Sequence, residues 1–169
     1  MKQKAPVNPI YEANLTALRE NYPHIAARVE KAPVSRDFEI RGTGPRHFVN
    51  IFCKKQSFYF YKEGNPQQDT AEQMKLLNLK NAKIAVFLGF GLGYEVVYFA
   101  REMAAKLGTV KILIIEKDVE LFKTALHMFN YVPMMKDVNI KLVVGEAEEN
   151  LFPIFGGFFK EKSNVIYLK

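Results

Sequence analysis

The spacing of apolar positions changes near residue 81, and the change divides the chain into two parts. Apolar residues first recur every three or four positions through residues 8–31, which predicts helix. Pro23 lies inside this pattern, and because proline removes an interior N–H hydrogen bond, we expect two short helices. Residues 37–64 contain aromatic and β-branched runs between turn signals, which predicts an antiparallel meander of two or three strands. A further helix is expected over residues 65–80.

Beyond residue 81 the apolar residues form continuous runs of Ile, Val and Leu that alternate with helical patterns. The predicted strands span residues 83–89, 110–118, 138–146 and 164–168. Strands this apolar are typical of a parallel sheet buried on both faces. With right-handed crossovers, the predicted fold class is α/β: a Rossmann-like, mainly parallel sheet with helices on both faces, preceded by a small N-terminal α+β lobe. We divide the chain into residues 1–81, with the helices and meander, and residues 82–169, the Rossmann-like half-domain.

Composition and charge narrow the functional classes. The sequence is 49% hydrophobic and 13% aromatic, which suits a packed core, and it has no run of the roughly 18 apolar residues that a membrane span needs. Cys53 is the only cysteine, so an intramolecular disulfide is excluded and a cytoplasmic location is expected. The net charge of +6 comes from scattered lysines, which argues against a nucleic-acid partner. The three histidines lie far apart, so no metal site is predicted.

A glycine-rich segment, "AVFLGFGLGY" at residues 85–94, joins the first predicted parallel strand to the next helix. Gly89, Gly91 and Gly93 allow positive φ and can leave amide N–H groups open to a ligand. The spacing G-x-G-x-G differs from the dinucleotide fingerprint G-x-G-x-x-G, whose last glycine is Tyr94 here, and this argues against NAD. The alternative explanation is structural, since glycines also permit a tight turn with close packing.

Two acidic residues end the next two predicted strands and are expected at the same edge of the sheet. Glu116 is placed to accept hydrogen bonds from ribose hydroxyls, and Glu146 ends the third strand. The candidate cofactor-binding residues are therefore Gly89, Gly91, Gly93, Glu116 and Glu146. The loop is similar to those of S-adenosylmethionine-dependent methyltransferases. Two ligand classes therefore remain, a nucleotide and an S-adenosylmethionine-like molecule. We expect Gly91→Val to block binding and to spare the fold.

The segment "LFPIFGGFFKEKSN", residues 151–164, concentrates large apolar side chains. We expect Gly156 and Gly157 to break its helix, so that Phe158 and Phe159 face away from the core and mark an interface. The partner would be another protein, a downstream domain or a second copy of this chain. The alternative is that both rings fold back over the last strand.

Four segments, in order between residues 11 and 150, resemble one family. They are "NLTALRENYPHIAARVE", "NPQQDTAEQMKLLNLKNAKIAVFLGFGLGYEV", "LIIEKDVELFKTAL" and "KLVVGE". This set is similar to the N-terminal region of the motility accessory factor proteins, bacterial glycosyltransferases implicated in flagellin modification. In that family a following central domain, related to 6-hydroxymethylpterin diphosphokinase-like proteins, is thought to transfer a nonulosonic acid from a CMP-sugar to Ser or Thr. The resemblance implies the preceding Rossmann-like domain alone and assigns no catalytic residue here.

Two functions stay open at this point. The chain is either a non-catalytic accessory or binding domain of a flagellin glycosyltransferase, or a small methyltransferase-like enzyme completed by a partner. The last predicted strand reaches the end of the sequence without a covering helix. For this reason we expect the chain to be a piece of a longer protein.

Overall fold

The computed structural model describes residues 8–43, 48–62, 64–77, 79, 82–108, 110–159 and 164–168. The helices are α1 (Pro9–Asn21), α2 (Pro23–Lys31), α3 (Pro66–Lys75), α4 (Tyr94–Tyr98), α5 (Ala104–Leu107), α6 (Val119–Leu126), α7 (Val132–Met135) and α8 (Glu148–Phe158). A π-helical segment (Phe99–Met103) joins α4 to α5. The strands are β1 (Phe38–Thr43), β2 (Phe48–Cys53), β3 (Phe58–Tyr59), β4 (Ala82–Leu88), β5 (Lys111–Glu116), β6 (Ile140–Val144) and β7 (Asn164–Leu168).

Two sheets organise these elements. β1, β2 and β3 form a small antiparallel sheet, and the larger sheet has the order β6-β5-β4-β7 with every neighbouring pair parallel. Successive strands from β4 to β6 extend to one side, and β7 pairs on the other side of β4. The strand order therefore reverses between β4 and β7. The α/β, Rossmann-like fold class predicted from the sequence is confirmed, together with the small N-terminal α+β lobe.

The two faces of the parallel sheet are covered by different helices, as strand alternation requires. Ala85 and Phe87 of β4 point into the larger core, which also contains buried side chains of α1, α2 and α6. Ile84 and Val86 point to the opposite face, where the packing side chains come from α8. The N-terminal helices thus share one hydrophobic core with the sheet.

Helix α8 differs from its prediction. Gly156 and Gly157 lie within the helix instead of ending it. Phe158 and Phe159 are half-buried and pack against the second face of the sheet, and Phe159 stacks on Phe155 with 5.5 Å between ring centroids. Glycine lowers helix stability by about 1 kcal/mol but does not stop a helix whose rings gain this much burial. The expectation that both rings face away is wrong; they fold back over the sheet.

Three other elements also depart from the sequence pattern. The helix that follows the glycine-rich segment contains the π-helical segment, α3 ends at Lys75 and not near residue 80, and β3 has two residues. In addition, α7 follows Tyr131 where no helix was predicted. Periodicity is a weak guide to pieces this short, because one turn of helix shows no repeat.

A buried amide links α1 to the Rossmann-like half. The Asn14 side chain is fully buried, and its Nδ2 donates to the carbonyls of Leu126 (2.9 Å) and Phe129 (2.7 Å). Its Oδ1 accepts from the amide of Tyr131 at 2.8 Å. A buried polar group with three partners holds the helix in one position, because any other placement would leave those backbone groups unsatisfied.

We predict that Asn14→Ala lowers the free energy of unfolding by about 2–4 kcal/mol. The substitution leaves buried backbone groups without a hydrogen-bond partner, and each such group destabilises the fold by about 1–3 kcal/mol. Urea unfolding of the whole chain measures this. The matched control is Asn21→Ala in the same helix, whose exposed side chain bonds, among the described residues, to the Ala17 carbonyl alone, and it should change stability by less than about 0.5 kcal/mol. Equal effects of the two substitutions would contradict the proposed link.

Candidate ligand site at the reversal of strand order

A cavity of about 510 Å³ lies where the strand order reverses. Residues 88–91, at the end of β4 and the start of the glycine loop, line one side of it, and Tyr167 and Leu168 of β7 line another. The segment 60–62 and residues of α3 complete the lining. Open Rossmann-like sheets bind ligands outside the carboxyl ends of their strands at such a reversal, and this volume suits a small molecule.

A second cavity, of about 620 Å³, lies beside α4, the π-helical segment and α7. It includes Leu92 and Gly93 of the glycine loop but none of the strand ends at the reversal. We take the smaller cavity as the candidate site, because it joins the loop to the ends of β4, β5 and β7.

All three loop glycines have positive φ: 114° at Gly89, 54° at Gly91 and 72° at Gly93. A Cβ on Gly91 would lie 2.6 Å from the Tyr61 hydroxyl, and one on Gly93 would lie 2.7 Å from the ring of Phe90. At Gly89 a Cβ would meet no atom within 4 Å. Gly91 and Gly93 are therefore required by the protein's own packing, and the expectation that Gly91→Val spares the fold is wrong.

The amide groups of the loop are mostly used within the protein. The Gly89 amide donates to the Ile115 carbonyl (2.8 Å), and the Gly93 amide donates to the Phe90 carbonyl (2.7 Å). The Phe90 amide donates to Glu116 Oε2 (2.8 Å), and the Leu92 amide donates to the Tyr61 hydroxyl (2.8 Å). A glycine loop that cradles phosphate leaves these N–H groups directed at the ligand. Here four of the five consecutive amides from residue 89 to 93 already have protein acceptors.

Glu116 is the buried acidic group of the site. It is 5% exposed, and besides the Phe90 amide it accepts a hydrogen bond from the Asp118 amide at 2.8 Å through Oε1. One carboxylate therefore joins the end of β5, the glycine loop and the start of α6. Glu116 lines the cavity, but both of its oxygens bond to backbone where the sequence suggested ribose hydroxyls.

Glu146 lies outside the lining of this cavity. Its Oε1 accepts a hydrogen bond from Arg28 Nη1 of α2, which also donates to the Val144 carbonyl. This guanidinium lowers the pKa of Glu146 below its ordinary value. Of the five candidate residues, the cavity therefore brings together Gly89, Gly91 and Glu116 and excludes Gly93 and Glu146.

Two cavity residues had no signal in the sequence. The Tyr61 hydroxyl accepts from the Leu92 amide and lies 3.5 Å from Glu95 Oε2, to which it donates. Burial raises the pKa of Glu95, and burial together with the nearby Glu95 raises that of Tyr61. Buried Asn50 positions Tyr61 by bonding its amide and carbonyl at 3.2 and 2.9 Å. The aromatic run at residues 58–61 indicated burial but not which ring meets the loop.

Comparison with known proteins assigns the family. The model of the glycosyltransferase Maf N-terminal domain family matches residues 69–167, more than half of the chain. The chain belongs to this family, and the resemblance to the motility accessory factor proteins is confirmed. No curated protein matches the chain.

Solved structures extend the comparison to the fold. The Maf glycosyltransferase from Magnetospirillum magneticum AMB-1 is similar with a TM-score of 0.68 and 11% identity, over 95% of this chain and 32% of that one. The chain thus spans about a third of the length of that enzyme. MNMC2 from Aquifex aeolicus is similar at 16% identity and a TM-score of 0.44, over 86% of this chain and 59% of that one. Within the part of the chain that the structure describes, no helix is both long and apolar enough to cross a bilayer.

We predict that Glu116→Ala lowers the free energy of unfolding by about 2–4 kcal/mol in the absence of any ligand, because it leaves two backbone amides without their acceptor. Glu148→Ala is the control: its carboxylate, 80% exposed, pairs with the ammonium of Lys117, and exposed pairs contribute about 0–1 kcal/mol. Urea unfolding compares both with the wild type. A loss below about 1 kcal/mol for Glu116→Ala would show that this carboxylate does not hold the loop.

Glu95 and Glu146 should give opposite dependences of stability on pH. Burial raises the pKa of Glu95 above its ordinary 4.5. The contribution of Glu95 to the free energy of unfolding is therefore fully present below pH 4.5 and is lost as the pH rises through the pKa of the folded protein. Arg28 lowers the pKa of Glu146, so its contribution is present above 4.5 and is lost as the pH falls through the lowered value.

At neutral pH we therefore expect Glu95→Gln to be more stable than the wild type and Glu146→Gln to be less stable. Urea unfolding at about pH 4 and about pH 7 tests both signs. The wild type should lose more stability between these two conditions than Glu95→Gln does. If Glu95→Gln unfolds more easily than the wild type at neutral pH, burial does not disfavour this carboxylate.

Proposed function

We propose that this chain is the N-terminal accessory domain of a motility accessory factor-like glycosyltransferase that modifies flagellin in the bacterial cytoplasm. In this role it binds a small ligand and does not itself transfer the sugar. The observation that carries the proposal is the cavity at the reversal of strand order, bounded by the glycine loop, in a chain of the glycosyltransferase Maf N-terminal domain family.

The hydrogen bonds of the site support binding rather than catalysis. Glu116 uses both carboxylate oxygens on backbone amides, and the Tyr61 hydroxyl is held between the Leu92 amide and Glu95. A general acid or base must exchange a proton with a substrate, which requires an oxygen within reach of it. The Glu116 carboxylate and the Tyr61 hydroxyl already bond to the backbone of the loop, so they are better suited to holding a binding surface in a fixed conformation.

A methyltransferase-like activity is the second candidate, favoured by the same position of the cavity at the carboxyl ends of β4 and β7. Unlike the accessory role, this activity requires the conversion of S-adenosylmethionine to S-adenosylhomocysteine. Incubating the chain with the methyl donor and a cell extract, and following S-adenosylhomocysteine by mass spectrometry, separates the two candidates. Sustained turnover by the wild-type chain would favour the methyltransferase.

For the accessory role we predict that deleting the gene in its own bacterium lowers the intact mass of flagellin by whole sugar units and abolishes swimming. Reintroducing the complete wild-type gene should restore both. The purified chain alone should release no CMP from a CMP-nonulosonic acid in the presence of flagellin. Unchanged flagellin mass in the deletion strain would contradict the flagellin role, and CMP release by the chain would contradict the non-catalytic role.

A further inference from the structure

The cavity combines an acidic lining with a glycine loop whose amide groups mostly bond to the protein itself. Among the residues that the structure describes, its charged side chains are three carboxylates, Asp69, Glu95 and Glu116, and one ammonium, Lys62. The remaining lining is largely apolar and aromatic, with Phe60, Tyr61 and Tyr167 among the rings.

From these features we infer that the cavity selects a phosphate-free ligand of nucleoside size, neutral or positively charged, and excludes nucleotides. This inference rests on the proposed function, because it takes the cavity to be the ligand site of the domain. It specifies the ligand class that the glycine loop by itself leaves open.

Most of the amide donors of the loop are already used within the protein. Its amides at Gly89, Phe90, Leu92 and Gly93 donate to protein acceptors 2.7–2.8 Å away. To free the Phe90 amide, a phosphate would have to displace the carboxylate of Glu116, which is itself a buried anion. To free the Leu92 amide, it would have to displace the Tyr61 hydroxyl. Phosphate binding at glycine loops depends on several N–H groups that are directed at the ligand, and four of the five amides of this loop are directed at protein acceptors.

The charge of the lining acts in the same direction. A phosphate would enter a site whose described lining has more carboxylates than ammonium groups, and like charges in a partly desolvated cavity repel strongly. Hydroxyl and amino groups, by contrast, find acceptors in carboxylate oxygens. The aromatic rings supply flat apolar surface for a base. A nucleoside, or a nucleoside that carries a cationic group, satisfies all three features of the cavity.

Matched pairs of probes test this inference on the full chain. Calorimetry compares adenosine with AMP and cytidine with CMP, so that each pair differs only by the phosphate, and S-adenosylmethionine serves as the cationic probe. We expect at least one nucleoside or the cationic probe to bind at least tenfold tighter than the monophosphates. A monophosphate that binds as tightly as its nucleoside, or no binding by any probe, would overturn the inference.

Variants of α3 show whether binding uses this cavity. Gln73 is exposed and lines the cavity, so Gln73→Trp should remove binding without changing the unfolding midpoint. The control is Glu72→Trp, at the neighbouring exposed position outside the lining, which should bind like the wild type. Equal binding by both variants would place the ligand elsewhere and overturn the assignment.

A charge variant tests the cause of the selectivity. Asp69→Asn should reduce the preference for nucleoside over monophosphate several-fold, and Glu72→Gln, on the same helix outside the lining, should not. Raising the salt concentration should reduce the preference as well, because exposed charges are screened. An unchanged preference in Asp69→Asn and at high salt would contradict an electrostatic cause. The flagellin mass assay remains independent of all these results, so a failure of the ligand class is distinguishable from a failure of the proposed function.

Discussion

The carboxylate of Glu116 is the interaction on which the geometry of the site depends. Two parallel strands and the segments that follow them meet at their carboxyl ends, where the amides that begin each segment have no intrastrand partner. Glu116 at the end of β5 satisfies one such amide, at Phe90 after β4, and another, at Asp118 before α6. Because the carboxylate is almost fully buried, moving either segment would leave a buried charge or a buried amide without its partner. Glu116 therefore fixes the glycine loop relative to the end of β5 and the start of α6.

The N-terminal lobe holds the same loop from the other side. Asn50 in β2 bonds the backbone of Tyr61, and the Tyr61 hydroxyl accepts the amide of Leu92. The Tyr94 hydroxyl also donates to the carbonyl of Val49 in β2. These bonds cross the point near residue 81 at which the apolar spacing changes. A change in spacing marks where one kind of sheet gives way to another, but it carries no information on which side chains meet across it.

This difference explains how much of the structure could be predicted from the sequence. The four parallel strands were recognisable because burial on both faces requires apolar residues at every position, and the runs ending at Leu88 and Glu116 show that directly. Glu116 was correctly singled out as an acidic residue at the sheet edge, yet its bonds to backbone could not be foreseen. A carboxylate at this position can accept hydrogen bonds either from ribose hydroxyls or from loop amides. The sequence looks the same in both cases. Tyr61 was beyond prediction for another reason, since its contacts with Leu92 and Glu95 depend on how the lobe packs.

The glycines show that the two explanations offered by the sequence apply to different residues of one loop. At Gly91 and Gly93 a side chain would collide with Tyr61 and Phe90, so these residues serve the tight packing of the turn. At Gly89, φ is 114° and a Cβ would meet no atom within 4 Å, so the missing side chain leaves the lining of the cavity open at this residue. The same packing that needs Gly91 also places the Tyr61 hydroxyl on the Leu92 amide and so occupies a donor that a phosphate would use. The packing of this loop and the ligand selection that we propose for it therefore depend on the same contact.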